Sequence, residues 1–248
     1  MIVEFFGPPG AGKTTLSLAL AKSLSEDSRR AVLRLSARPG EQGGFNETPH
    51  PFNAAAYRLM KPIVELILGA TKQPGLLANN SIAAVLSAAL PPGHIVRSLR
   101  MRQYLVRLSR SWTQSMRSGD IHIFDQGYVQ AVATIMMAQP NLTDANLREL
   151  LNVIPAADLA IGIEATASEI DARLDRRRRA IGGVGRFFEE PPVGVEKQNE
   201  IAARIAEHLP RCGHRTLLLR SETGALEENA QTAKRAILSL PVAARAAG

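Results

Sequence analysis

Gly7-Pro8-Pro9-Gly10-Ala11-Gly12-Lys13-Thr14, with Thr15 behind it, decides how the rest of this 248-residue chain is read. Its spacing is G-x-x-x-x-G-K-[ST]. Glycines allow successive backbone N–H groups to turn toward one anion, so residues 7–15 form a candidate nucleotide-binding loop. Lys13 has the reach for the β- and γ-oxygens of a nucleotide, and the Thr14 hydroxyl is a candidate magnesium ligand. The context fits. Ile2-Val3-Glu4-Phe5-Phe6 is a short, mostly apolar run, as expected of a buried parallel strand. Behind the loop, Leu16, Leu20 and Leu24 recur four apart, which predicts a helix over 14–24 with one apolar face. The positive end of that helix dipole points at the same anion.

Working outward, residues 31–35, 121–124, 159–163 and 216–219 supply four more strand candidates. Strands alternating with helical patterns predict an α/β chain with a five-stranded parallel sheet and helices on both faces. Asp125 ends the apolar run 121–124, which places it at the carboxyl edge of the sheet beside the Lys13 loop, where open α/β sheets bind ligands. An Asn-Lys-x-Asp base reader of GTPases is absent. Phe124-Asp125-Gln126 carries one acid where motor-type ATPases bring adjacent ones. Breakers such as Pro39-Gly40, Gly43-Gly44 and Pro91-Pro92-Gly93 mark 40–99 as an excursion, with short helices expected over 54–68 and 81–90. A second soft segment surrounds Gly182-Gly183-Val184-Gly185. Both read as excursions from one domain spanning 1–248, not as linkers.

The formal charge of +7 is unevenly spread. No acid occurs between Glu65 and Asp120, while Lys72, Arg97, Arg100, Arg102, Arg107, Arg110 and Arg117 lie there, so this span holds the entire excess. Such a block suits nucleic acid, a membrane surface or an anionic substrate. Helical spacing of Met101, Leu105, Leu108, Trp112 and Met116 over 95–116 resolves part of that choice. It predicts a helix packed on a core, with Arg100, Arg107, Arg110 and Arg117 turned to solvent and Arg102 on a flank where it can point along a cleft. One cysteine, Cys212, excludes a disulfide framework and a multi-thiolate zinc site. No run approaches a spanning helix, and residues 1–4 lack the basic start of a signal peptide, so a cytoplasmic protein with no membrane partner is expected.

Residues 168–179 read as a helix ending in Arg176, Arg177, Arg178 and Arg179, with Arg173 one turn earlier and Arg186 after the glycines. Glu169, Asp171, Asp175, Glu189 and Glu190 nearly balance these charges, so this is no nucleic-acid stripe. Arginines on a closing segment, 173–194, suit phosphoryl transfer, where a lid excludes water and neutralises charge on the transferred group.

Together these residues resemble the nucleoside and nucleotide kinases of the P-loop superfamily, thymidylate kinase most closely. Ala37-Arg38-Pro39-Gly40-Glu41-Gln42-Gly43-Gly44 is similar to that family's R-E-P-G-G substrate loop. Arg102-Gln103 stands near its acceptor-phosphate arginine, and Asp125-Gln126-Gly127-Tyr128 replaces D-R-[YF]. Residues 157–164, then Arg173, Arg177 and 185–189, resemble its P-D-L strand, R-x-x-x-R helix and D-R-[FI]-E lid. Residues 221–226 correspond to its adenine-side loop.

The resemblance implies the P-loop NTPase fold with a lid, ATP and Mg2+ as cofactors, and transfer of the γ-phosphoryl group to a nucleoside monophosphate-like, anionic small-molecule acceptor. It implies Lys13, Asp125, Arg173, Arg177 and Arg186 as catalytic residues and Thr14 and Asp125 as magnesium ligands. Arg38, Glu41, Arg102, Gln103 and Gln126 are implied at the acceptor, and a homodimer is compatible. Gln126 in place of arginine, and a substrate loop without its usual glutamate position, leave open a hydroxyl acceptor on a nucleoside, sugar or specialised metabolite. In that case Asp125 or Glu41 could accept the proton. A regulatory nucleotide-binding protein that grips nucleic acid is the remaining alternative.

Overall fold

β1 (Ile2–Phe6) is buried at every position and lies at the centre of a parallel sheet ordered β2-β3-β1-β4-β5. The other strands are β2 (Ala31–Arg34), β3 (Ile121–Phe124), β4 (Leu159–Glu164) and β5 (Thr216–Arg220). In this computed structural model the described residues are 1–27, 30–35, 77–90, 95–139, 141–180 and 194–241. Met1–Leu35 with Ser115–Gly248 form one compact unit, and Ser36–Gln114 form a second.

In the first unit, register sets which side chains share a face. Val3 lies beside Ile123 and Leu159, and Phe5 beside Ile161, so these project together on one side of the sheet. α1 (Lys13–Glu26) and α8 (Leu226–Leu238) pack on each other over that side. They bury Leu16, Leu20 and Leu24 against Val3, Phe5, Ile161, Ala230 and Ala233. Each such leucine is worth about 2 kcal/mol of transfer free energy. Opposite lie α4 (Tyr128–Ala138), packed on β1, and α7 (Val195–Arg211), packed on α4, β4 and β5. α5 (Asp144–Val153) joins this layer, and α6 (Ala167–Ala180) follows β4. Strand order reverses at β1, which opens a crevice at the carboxyl ends of β1 and β3. With the glycine loop between β1 and α1, this strand order is that of the P-loop NTPase fold.

All five expected strands are present, within one residue of their expected bounds. The helix expected over 14–24 is α1, and that expected over 168–179 is α6. The helix expected over 54–68 lies outside the described residues, as does the glycine run 182–185.

In the second unit, α2 (Leu77–Ala88) answers the helix expected over 81–90, and α3 (Ile95–Met116) runs out of the unit at its end. α3 buries Met101, Leu105, Leu108 and Trp112 as its periodicity requires, but the stripe stops short of Met116, which is 47% exposed. Arg102, Arg110 and Arg117 are exposed and Arg107 is half-buried. Among the described residues no helix is long and apolar enough to cross a membrane.

Candidate active site

The loop after β1 bends because Gly7, Gly10 and Gly12 take φ of 139°, 84° and 99°. Gly7 shows why the first of them is a glycine. A Cβ there would stand 2.5 Å from the Ile163 carbonyl oxygen, so a side chain is barred by both conformation and space. The Ala11 N–H donates to the Pro8 carbonyl (3.2 Å), closing a turn that delivers the chain to Gly12, the N-cap of α1. That cap has no side chain to satisfy the first-turn amides, and the first turn carries no acid.

Lys13 is buried, and its Nζ donates to the carbonyls of Gly7 (2.8 Å) and Pro8 (2.9 Å). An ammonium has three donors, so two fix it across the loop mouth and one is left for an anion. Burial pushes this ammonium down to about 8, against the pull of the Asp125 carboxylate. The Thr14 hydroxyl donates to Asp125 Oδ2 at 3.0 Å. Asp125 is fully buried directly after β3, and its N–H donates to the Arg34 carbonyl (3.3 Å). The sheet edge therefore joins Lys13, Thr14 and Asp125, as their positions in the sequence require. A hydroxyl and a carboxylate form a hard oxygen pair suited to Mg2+, which keeps most of its waters or takes phosphate oxygens. No cluster of three His, Cys, Asp or Glu side chains occurs among the described residues, so an all-protein cage is not formed there.

Arg173 has a different placement from the one a lid arginine suggests. Its Nη1 donates to the Ala11 carbonyl (3.1 Å), the Gly10 carbonyl (3.4 Å) and Ser221 Oγ (2.9 Å), and its Nη2 donates to the Ser221 carbonyl (2.9 Å). The guanidinium therefore ties α6 to the back of the glycine loop and to the loop after β5. At its start, α6 is fixed by a reciprocal pair. The Glu169 N–H donates to Thr166 Oγ1 (3.3 Å), and the Thr166 N–H to Glu169 Oε2 (3.2 Å). The Thr166 hydroxyl, which donates to the same Glu169 Oε2 (2.9 Å), and the Thr166 N–H together lower the Glu169 carboxyl from its ordinary value.

Two residues that no motif identifies complete the loop's surroundings. Glu4 is fully buried in β1, and its Oε2 accepts the Val129 N–H (3.0 Å). It thus caps α4, whose own N-cap Gly127 offers no side chain. Burial raises this carboxyl to about 8, with the Val129 and Tyr128 amides opposing. A Cβ on Gly127 would collide with the Glu4 carboxylate, so that glycine is required. Gln130, buried on α4, accepts the Gly7 N–H at 3.1 Å. Each had one visible sign, a polar residue inside an otherwise apolar buried segment.

Gln126 is half-buried directly after Asp125. Arg102 and Gln103 lie on α3 in the second unit. Arg177 belongs to the backbone of α6. Arg38, Glu41 and Arg186 lie outside the described residues. A cavity of about 240 Å3 adjoins the start of the loop, lined by Gly7, Pro8, Glu164, Asn199, Ala202 and Ala206 among others, and none of Lys13, Thr14 or Asp125 borders it.

No protein-family model and no curated protein sequence matches the chain. Among solved structures it is similar to nucleoside and nucleotide kinases. Deoxyadenosine kinase from M. mycoides, with products dCMP and a flexible dCDP bound, is 13% identical over 96% of this chain and 100% of its own, at a TM-score of 0.47. The same enzyme with dATP is 12% identical over 95% and 100%, at 0.46. Thymidylate kinase from Ehrlichia chaffeensis is 18% identical over 96% and 98%, at 0.44.

Proposed function

We propose that the chain is a magnesium- and ATP-dependent kinase of small molecules, transferring the γ-phosphoryl group to an anionic, nucleoside monophosphate-like acceptor. The observation that carries this reading is the Lys13–Thr14–Asp125 constellation on a glycine loop, with the ammonium already tied to the Gly7 and Pro8 carbonyls. Phosphoryl transfer needs little covalent participation from the protein, and its barrier falls mainly through positioning and charge stabilisation. The remaining donor of Lys13 and the amides of 7–15 supply that stabilisation at the phosphate oxygens. Thr14 Oγ1 and Asp125 Oδ2 are the oxygens that would hold Mg2+. When bound, Mg2+ neutralises developing charge between the β- and γ-phosphates.

In this reading Arg177 and Arg186 close over the transferred group. Arg173, expected with them at the transferred group, is assigned here as a positioning residue, since its bonds to Ala11 and Ser221 fix the base of the closing segment against the loop. Arg38, Glu41, Arg102, Gln103 and Gln126 are assigned to the acceptor. A phosphate acceptor requires no general base. Gln126, neutral where a charged partner for a phosphate would be useful, favours a hydroxyl acceptor as the second reading, with Asp125 or Glu41 receiving the proton. We assign the protein to the cytoplasm and assign it no nucleic-acid partner.

ADP release measured with MgATP against nucleoside monophosphates and against neutral nucleosides and sugars tests both readings. Turnover of monophosphates is expected. Turnover of neutral alcohols alone would transfer the assignment to a hydroxyl kinase, and failure to bind MgATP would remove the donor site altogether.

A further inference from the structure

Gly7 is held on three sides. Its carbonyl receives the Lys13 ammonium at 2.8 Å, its Cα faces the Ile163 carbonyl, and its N–H donates to Gln130 Oε1 at 3.1 Å. The first two contacts come from the loop's own lysine and from β4. The third comes from α4, the helix that starts beyond Asp125, so Gln130 links the two halves of the constellation. Its amide orientation is fixed by chemistry, because a backbone N–H can be satisfied only by the oxygen end.

We infer that Gln130 is a positioning residue of the phosphate site, acting on Lys13 through the Gly7 backbone. This rests on the donor-site reading above. Hydrogen-bond accounting supplies the reason. Without Oε1 the Gly7 N–H is left unpaired in the interior, and the backbone recovers a partner by rotating at Gly7, the residue best able to rotate. Rotation there swings the Gly7 carbonyl away from Nζ. Lys13 then keeps only the Pro8 carbonyl, and its phosphate-directed donor is no longer fixed. The result falls on nucleotide binding at the β- and γ-phosphates, although Gln130 itself belongs to the helix behind the loop.

The test uses the full chain and the near-isosteric Gln130→Met, which keeps the length and removes the acceptor. Calorimetry with MgATP is expected to show about tenfold weaker binding, the factor a lost hydrogen bond of roughly 1.4 kcal/mol gives. In NMR spectra of the wild-type protein the Gly7 amide is expected to exchange at least about a hundredfold more slowly than in an unfolded chain, and Gln130→Met is expected to abolish that protection. The Lys13 15Nζ signal is expected to be sharp in the wild type and to broaden in the variant, while amides of β1 and β4 are expected to keep their protection. A merely structural role would lower protection across the sheet and leave that signal unchanged.

MgATP binding by the variant within twofold of wild type overturns the inference. So does a freely exchanging Gly7 amide in the wild-type protein, a measurement that stands even where the variant fails to fold. Absence of MgATP binding by the wild type, with Gly7 protected, overturns the donor-site reading instead.

Discussion

Replacing Glu4 with glutamine should change how stability depends on pH, and its size follows from where Glu4 lies. The carboxyl is fully buried in β1 and raised from its ordinary 4.5 to about 8. The folded protein therefore holds a proton that the unfolded chain releases between those values. A raised folded value means that the contribution is complete below pH 4.5 and is lost as pH climbs through 8. At roughly 1.4 kcal/mol per pH unit, the loss is about 3 kcal/mol by pH 7 and about 5 kcal/mol by pH 9. The substituted amide does not titrate. It preserves an oxygen for the Val129 N–H, and its nitrogen costs about 1–3 kcal/mol for lack of a partner at every pH. Urea unfolding of wild type and Glu4→Gln at each pH from 5 to 9 isolates the effect, since all other groups cancel in the difference. The variant is expected to gain on wild type steadily up to about pH 8, after which the difference between them stays constant. Parallel profiles across the whole range would refute the reasoning.

Lys13→Ala should abolish phosphoryl transfer while leaving the far-ultraviolet circular dichroism of the sheet intact; an active variant would contradict the donor-site assignment. Gly127→Ala drives a methyl group into Glu4 and should cost about 3 kcal/mol in urea unfolding. Combined with Glu4→Ala the cost should be clearly less than additive, as for two residues sharing one space. Arg173→Met removes the ties of α6 to Ala11 and Ser221, and a loss of about 1–3 kcal/mol is expected together with slower turnover; an unchanged unfolding midpoint would argue against the tie. DNA and RNA affinity should be weak and without the steep salt slope of phosphate-binding surfaces, as fluorescence anisotropy at two ionic strengths would establish.

The strands were legible because a parallel sheet covered on both faces demands short, unbroken apolar runs, and residues 2–6 and 121–124 satisfy that demand almost without exception. Lys13, Thr14 and Asp125 were legible because glycine spacing and a strand-ending acid imply one sheet edge. α4 carries no such signal, since Tyr128, Val129, Ala131, Val132, Ile135 and Met136 are buried all round and leave no polar face to mark a period. α7 carries Pro210 inside its last turn, which reads as a breaker in sequence. α5 had a readable start, for Thr143 and Asn146 cap it reciprocally, but that pattern departs from the usual Glu or Gln. Glu4 and Gln130 act through long-range partners, 125 and 123 residues away, and no local pattern encodes a partner at that separation. Arg173 stood in the expected helix, yet its bonds to Ala11 and Ser221 follow from how α6 meets the loop.

α4 borrows its cap from Glu4 and α5 has its own, but α1 begins at Gly12 with neither cap nor acid. The free energy missing from that helix start can be supplied from solution by whatever anion settles on the amides. On the donor-site proposal, storage buffer becomes a thermodynamic variable. A phosphate or polyphosphate at a hundred times its dissociation constant adds about 2.7 kcal/mol to folding. Melting temperatures taken in phosphate and in chloride would then describe two differently liganded proteins, and a ranking of anions by that shift would profile the cradle before any substrate is identified.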